Sequence, residues 1–95
     1  MKVVINGCYG GFGLSELALA RLETLGAPFI GEDWRWRAST ARSNPILVQV
    51  VEELGARASR RYSKLKVIEI PDDVEYEVDE SDGLEQVIDS KRVWR

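Results

Sequence analysis

The stretch VVINGCYGGFGLSELALARL, residues 3–22, decides the fold. Val3, Val4 and Ile5 are contiguous and apolar, and the first two and the third are all β-branched. Such a run reads as a strand buried on both faces. A glycine-rich stretch follows: four of the eleven residues in 6–16 are glycine. Ser15 is a good N-cap, and Glu16 suits the positive end of a helix dipole. Leu14, Ala18, Leu22 and Leu25 then recur at helical spacing. Gly26 and Pro28 mark the stop.

The next segment, 28–42, is less regular. WRWR alternates with period two, putting Trp34 and Trp36 on one side and Arg35 and Arg37 on the other; it reads as a short strand or an ordered loop. A second helix starts at Ser43 or Asn44, with Pro45 in its first turn. Leu47, Val48, Val51 and Leu54 form its apolar stripe. Gly55 ends it, or it runs on through the basic ARASRRYS.

LKVIEI (65–70) reads as a strand limited by Pro71. In VEYEV, Val74, Tyr76 and Val78 alternate with Glu75 and Glu77, as in a half-buried antiparallel strand. Asp82-Gly83 is a strong hairpin signal and sets Val78 opposite Val87. Residues 85–93 then return as a strand, with a C-terminal helix as the alternative. The order is β-α-(β)-α-β-β-β. It predicts one domain over 1–95, an α+β (or α/β) fold in two layers, with helices on one face of a small mixed sheet.

The strand-loop-helix at 3–22 is where open α/β folds hold anions. Asn6, Gly7, Tyr9, Gly10, Gly11, Gly13 and Ser15 are therefore the candidate ligand residues, with Arg35, Arg37 or Arg42 as counter-charges. Three phosphate-loop patterns fail. A P-loop needs lysine and Ser/Thr after the last glycine, but Leu14 follows Gly13. A dinucleotide fingerprint would have glycine where Glu16 stands. A cysteine phosphatase needs an arginine six residues beyond Cys8, where Leu14 stands. The chain has no histidine to activate Cys8. The favoured reading is a tight β-to-α turn built on glycine. No catalytic residue stands out, so the expectation is a protein that is not an enzyme.

One cysteine and no histidine leave no zinc set, and the acidic stretch DESDGLEQVID does not follow the EF-hand pattern. No metal and no cofactor are expected. A single cysteine makes no internal disulfide, which suits a reducing cytoplasm. The N-terminus lacks the long apolar region of a signal peptide, and no apolar run reaches the ~20 residues of a membrane span.

The net charge of −3 conceals a segregation. Residues 35–66 hold eight Lys/Arg against Glu52 and Glu53, whereas 72–89 hold nine Asp/Glu and no basic residue. The bland reading is two solvated faces that partly neutralise each other. The sharper one is an acidic surface that meets a basic partner. Asp72, Asp73, Glu75, Glu77, Asp79, Glu80 and Asp82 are its candidate contacts. Trp34 and Trp36, beside arginines, suit either an interface or a core. The acidic C-terminal third argues against direct nucleic-acid binding. A homodimer would bury the tryptophans and any open sheet edge.

MKVVINGCYGGFGLSE resembles the opening of a family of short bacteriophage and prophage proteins. NPILVQVVEELG, LKVIEIPDDVEYEV, DGLE and a Trp near the C-terminus are similar to that family's ending. The resemblance covers roughly residues 1–26 and 44–94. It implies expression in the cytoplasm of a bacterial host and brings no catalytic residues. Relatives carry a longer middle segment, rich in Tyr and acidic residues, where this chain has a brief one with WRWR. In that setting the expected function is a non-enzymatic accessory protein that binds a host protein. The concrete form is an inhibitor of a defence system, anti-CRISPR-like, whose target is itself a nucleic-acid-binding complex. The alternative is a binder of a nucleotide signal that uses loop 6–15 as a sponge.

Overall fold

A computed structural model describes residues 1–26, 42–89 and 91–95. The described residues form an α+β fold. Strand β1 (Lys2–Asn6) leads to helix α1 (Glu16–Thr24). Helix α2 (Pro45–Leu54) runs into a 3-10 turn (Gly55–Ala58). Strands β2 (Leu65–Glu69), β3 (Glu77–Ser81), β4 (Leu84–Ile88) and β5 (Val93–Trp94) complete the order.

The described strands divide between two antiparallel sheets, where a single mixed sheet is the sequence expectation. β1 pairs with β2, Val4 opposite Val67. The other sheet has the order β3-β4-β5. The reason lies in β1. Its residues from Val3 to Asn6 are all buried. Helices can cover one face of such a strand, and something else must cover the other. Val4 joins a core with Leu14, Ala18, Leu22, Leu47, Val50 and Val51 from the helical side. Val3 and Ile5 point the other way, into a second cluster with Ile70 and Val87, flanked by Tyr76 and Trp94. The hairpin sheet thus adds a layer on the far face of β1.

The local signals act as their chemistry requires. Ser15 is extended (φ −68°, ψ 162°) and its Oγ accepts from the Ala18 N–H at 3.1 Å. Asn44, rather than Ser43, caps α2, its Oδ1 accepting from the Ile46 N–H at 2.9 Å. Gly55, at φ +57°, ends α2, and the basic tail tightens into the 3-10 turn instead of continuing the helix. Asp82 and Gly83 both have positive φ, 52° and 91°, as a type I′ hairpin turn needs. Val78 lies opposite Val87.

Two boundaries move. The ladder of β3 starts only at Glu77, three residues into the expected VEYEV strand, although burial alternates from Val74 onward. The return strand is neither continuous nor a helix. It breaks at Asp89, whose Oδ1 accepts from the backbone N–H of Lys91 and Arg92, and resumes as β5 against Val87 and Ile88. The expected strand or loop at WRWR lies outside the described residues.

Candidate functional site

The glycine loop between β1 and α1 is anchored at its entrance by Asn6, which is fully buried. Asn6 Nδ2 donates to the carbonyls of Cys8 and Gly83, both at 2.7 Å. Its Oδ1 accepts from the Lys64 N–H at 2.8 Å. Its own N–H donates to Glu85 Oε1 at 2.8 Å. One side chain thus ties the loop to Lys64, just before β2, and to the hairpin turn. Cys8 is half-buried, with its Sγ donating toward the Tyr62 carbonyl at 3.2 Å.

The glycines let neighbouring backbone come close. A Cβ on Gly10 would overlap the Tyr62 carbonyl, and one on Gly13 would meet the Arg60 stem at 2.9 Å. Gly83 leaves room for the Tyr9 carbonyl and the Gly11 nitrogen in the same way. Gly11 differs: its Cβ position is open, but its φ of +89° is a glycine conformation. Gly7 is bound through its N–H to the Lys64 carbonyl at 2.8 Å. Tyr9 stands out at 71% exposure. Ser15 caps α1 and also donates to the Arg57 carbonyl at 2.6 Å.

The candidate ligand residues therefore divide. Asn6, Gly7 and Ser15 are engaged in holding the loop. Tyr9, Gly10 and Gly11 remain at its surface, and Gly13 lies buried beneath Arg60. Arg35, Arg37, Trp34 and Trp36 lie outside the described residues. Arg42, the third candidate counter-charge, lies in the interior. It is buried, its Nη1 and Nη2 donating to the two carboxylate oxygens of Glu85 at 2.6 and 2.8 Å. Its Nη1 also reaches the Val4 carbonyl at 3.3 Å, and its guanidinium stacks 3.8 Å from the Phe12 ring centre.

Sequence reading misses this Arg42–Glu85 pair. A signal existed: hairpin alternation puts Glu85 on the same side as Val87, so an inward carboxylate needed a buried cation. Nothing local identified Arg42 as that cation.

The acidic candidates also separate by role. Asp72 pairs with the N-terminal ammonium, whose hydrogen bond and charge hold its carboxyl below the usual range. Asp79 accepts from Gln86 Nε2 at 3.0 Å, and Glu80 from the Gly83 N–H at 3.0 Å. Asp73, Glu75, Glu77 and Asp82 are exposed and have no ion-pair partner among the described residues. Glu77 lies in β3, opposite Ile88 of β4.

The basic residues Arg57, Arg60, Arg61, Lys64 and Lys66 are likewise exposed and, among the described residues, form no ion pair. The described ion pairs are Met1–Asp72, Lys2–Glu52, Arg21–Glu53, Arg42–Glu85 and Arg92–Asp89. None joins the 57–66 cations to the hairpin carboxylates.

Among the described residues, no three Cys, Asp or Glu side chains gather as a metal site, and no helix is long and apolar enough to cross a membrane. No protein-family profile matches the chain, and searches of curated proteins and of solved structures also find no match.

Proposed function

We propose that this chain is a non-enzymatic binding protein whose acidic hairpin engages a basic surface on a partner protein. The observation that carries this reading is the set of exposed carboxylates at Asp73, Glu75, Glu77 and Asp82, without ion-pair partners among the described residues. Charges held in this way create a local field that steers a complementary surface.

The resemblance to phage proteins supplies the setting for the proposal. The partner is then a host protein in the bacterial cytoplasm. A defence complex with a basic nucleic-acid groove is its concrete form, and the hairpin competes with nucleic acid for that groove. The test is affinity capture from a phage-sensitive host, comparing wild type with the E75K/E77K variant. Wild type is expected to retain a basic partner that nucleic acid displaces and that the variant loses. Recovery of the same partner by both proteins, or of none at low salt, refutes the reading.

A further inference from the structure

The basic side of the molecule presents a separate feature. A cleft of about 430 Å³ opens between the glycine loop and the segment that precedes β2. Gly10, Gly11, Phe12 and Gly13 form one wall, and Arg60, Arg61, Tyr62 and Ser63 the other. Its volume lies within the ~300–1,000 Å³ of small-ligand sites.

From these residues we infer that the cleft is a seat for a phosphate-bearing small molecule of nucleotide size. Three observations carry it. First, the lining holds two guanidiniums and no carboxylate. Neither arginine has an ion-pair partner among the described residues. Guanidinium is the side-chain group best shaped to bind phosphate through paired N–H donors. Second, the two walls meet closely because side chains are missing at Gly10 and Gly13. The backbone at 60–63 is docked on the loop by hydrogen bonds from Arg60 N–H and Ser63 Oγ to the Gly13 carbonyl, at 3.2 and 2.7 Å. The arginines therefore rise from a fixed backbone, which lowers the ordering cost of binding. Third, Tyr62 is 69% exposed, and the Arg61 guanidinium lies 5.4 Å from its ring centre. An aromatic face beside a cation suits a planar base attached to a phosphate.

A small ligand fits this cleft better than a nucleic-acid strand does. A cleft of about 430 Å³ holds a molecule of nucleotide size and not a run of several nucleotides. The lining of the cleft includes no residue of the acidic hairpin.

Amide-resolved NMR titration of the full chain tests the inference. The probes are pyrophosphate, ATP and adenosine, at fixed low salt. Pyrophosphate and ATP are expected to shift the amide signals of Gly10, Gly11, Gly13 and Ser63, and adenosine is expected to shift none. ATP binding tighter than pyrophosphate identifies a nucleotide; equal affinities identify a simpler phosphate. The exposed Arg61→Gln change should weaken binding at least tenfold with the spectrum otherwise folded, and Arg61→Lys should restore part of it. E75K/E77K should leave phosphate binding intact, so failure here is distinct from failure of the hairpin reading. No shift at millimolar pyrophosphate and ATP, shifts centred on other cations, or unchanged affinity in Arg61→Gln overturns the proposal.

Discussion

Glu85→Ala is the change that most directly probes how this fold is held together. The Glu85 and Arg42 side chains are only 6% and 3% exposed, and they meet through two short hydrogen bonds. Removing the carboxylate takes two short charge-assisted hydrogen bonds from a buried guanidinium. Breaking a buried pair from one side costs about 3–5 kcal/mol. The Asn6 N–H loses its acceptor as well, adding about 1–3 kcal/mol. A chain of this length has a total stability of roughly 5–14 kcal/mol. The variant should therefore melt at least ~15 °C below wild type, at about 4–8 °C per kcal/mol. R42M/E85L removes both charges together and should be less destabilised than Glu85→Ala. Urea unfolding followed by circular dichroism on the four proteins of the cycle gives the coupling energy. A coupling near zero, or a Glu85→Ala loss under about 1 kcal/mol, refutes the assignment of this pair as the link between β4 and the rest of the core.

The glycines should separate by mechanism. Gly10→Ala meets the Tyr62 carbonyl and should lose at least ~2 kcal/mol, whereas Gly11→Ala meets open space and should lose only the ~1–2 kcal/mol of an unfavourable positive φ, both read by urea unfolding. Leu47→Ala opens a cavity in the fully buried helical core and should cost about 2–5 kcal/mol in the same assay. Glu53, Asp72 and Asp89 all have carboxyls held below their usual range: Glu53 by hydrogen bonds from Arg21 and Gln49, Asp72 by the N-terminal ammonium, and Asp89 mainly by the Lys91 N–H. Each favours the folded state while ionised, so that contribution is complete above the unfolded carboxylate range near pH ~4 and fades as pH falls through the lowered values. Thermal melts from pH 6 to 2 should show a Tm that declines only below about pH 4.5, and a Tm that is flat or rises there contradicts these pairings.

Much of this architecture is legible from local chemistry. Ser15, Pro45 and Asp82-Gly83 act within a few residues of themselves, and the caps and the hairpin register follow directly. The second layer on β1 is different. The apolar run Val3–Ile5 announces burial on two faces but does not say what supplies the second cover. That cover is Ile70 and Val87, more than sixty residues away. The Arg42–Glu85 pair is also a long-range fact, since 43 residues separate the partners. The strand boundary at Glu77 depends on where the partner strand ends, because β3 pairs Glu77 with Ile88, the last residue of β4.

The same distinction bears on the acidic stretch. Its nine carboxylates are not told apart by counting charges. The fold divides them. Glu85 faces inward and secures the hairpin to the body. Asp89 shapes the turn before β5, and Asp72 secures the N-terminus. Replacing any of these confuses loss of fold with loss of binding. Glu75 and Glu77 are exposed and have no ion-pair partner among the described residues. Reversing their charge should therefore leave the unfolding free energy within about 0.5 kcal/mol of wild type, as for ordinary surface positions. Partner capture can then be read without a stability artefact. A large loss of stability in E75K/E77K would mean that these two carboxylates support the fold, and the hairpin would no longer qualify as a free acidic surface.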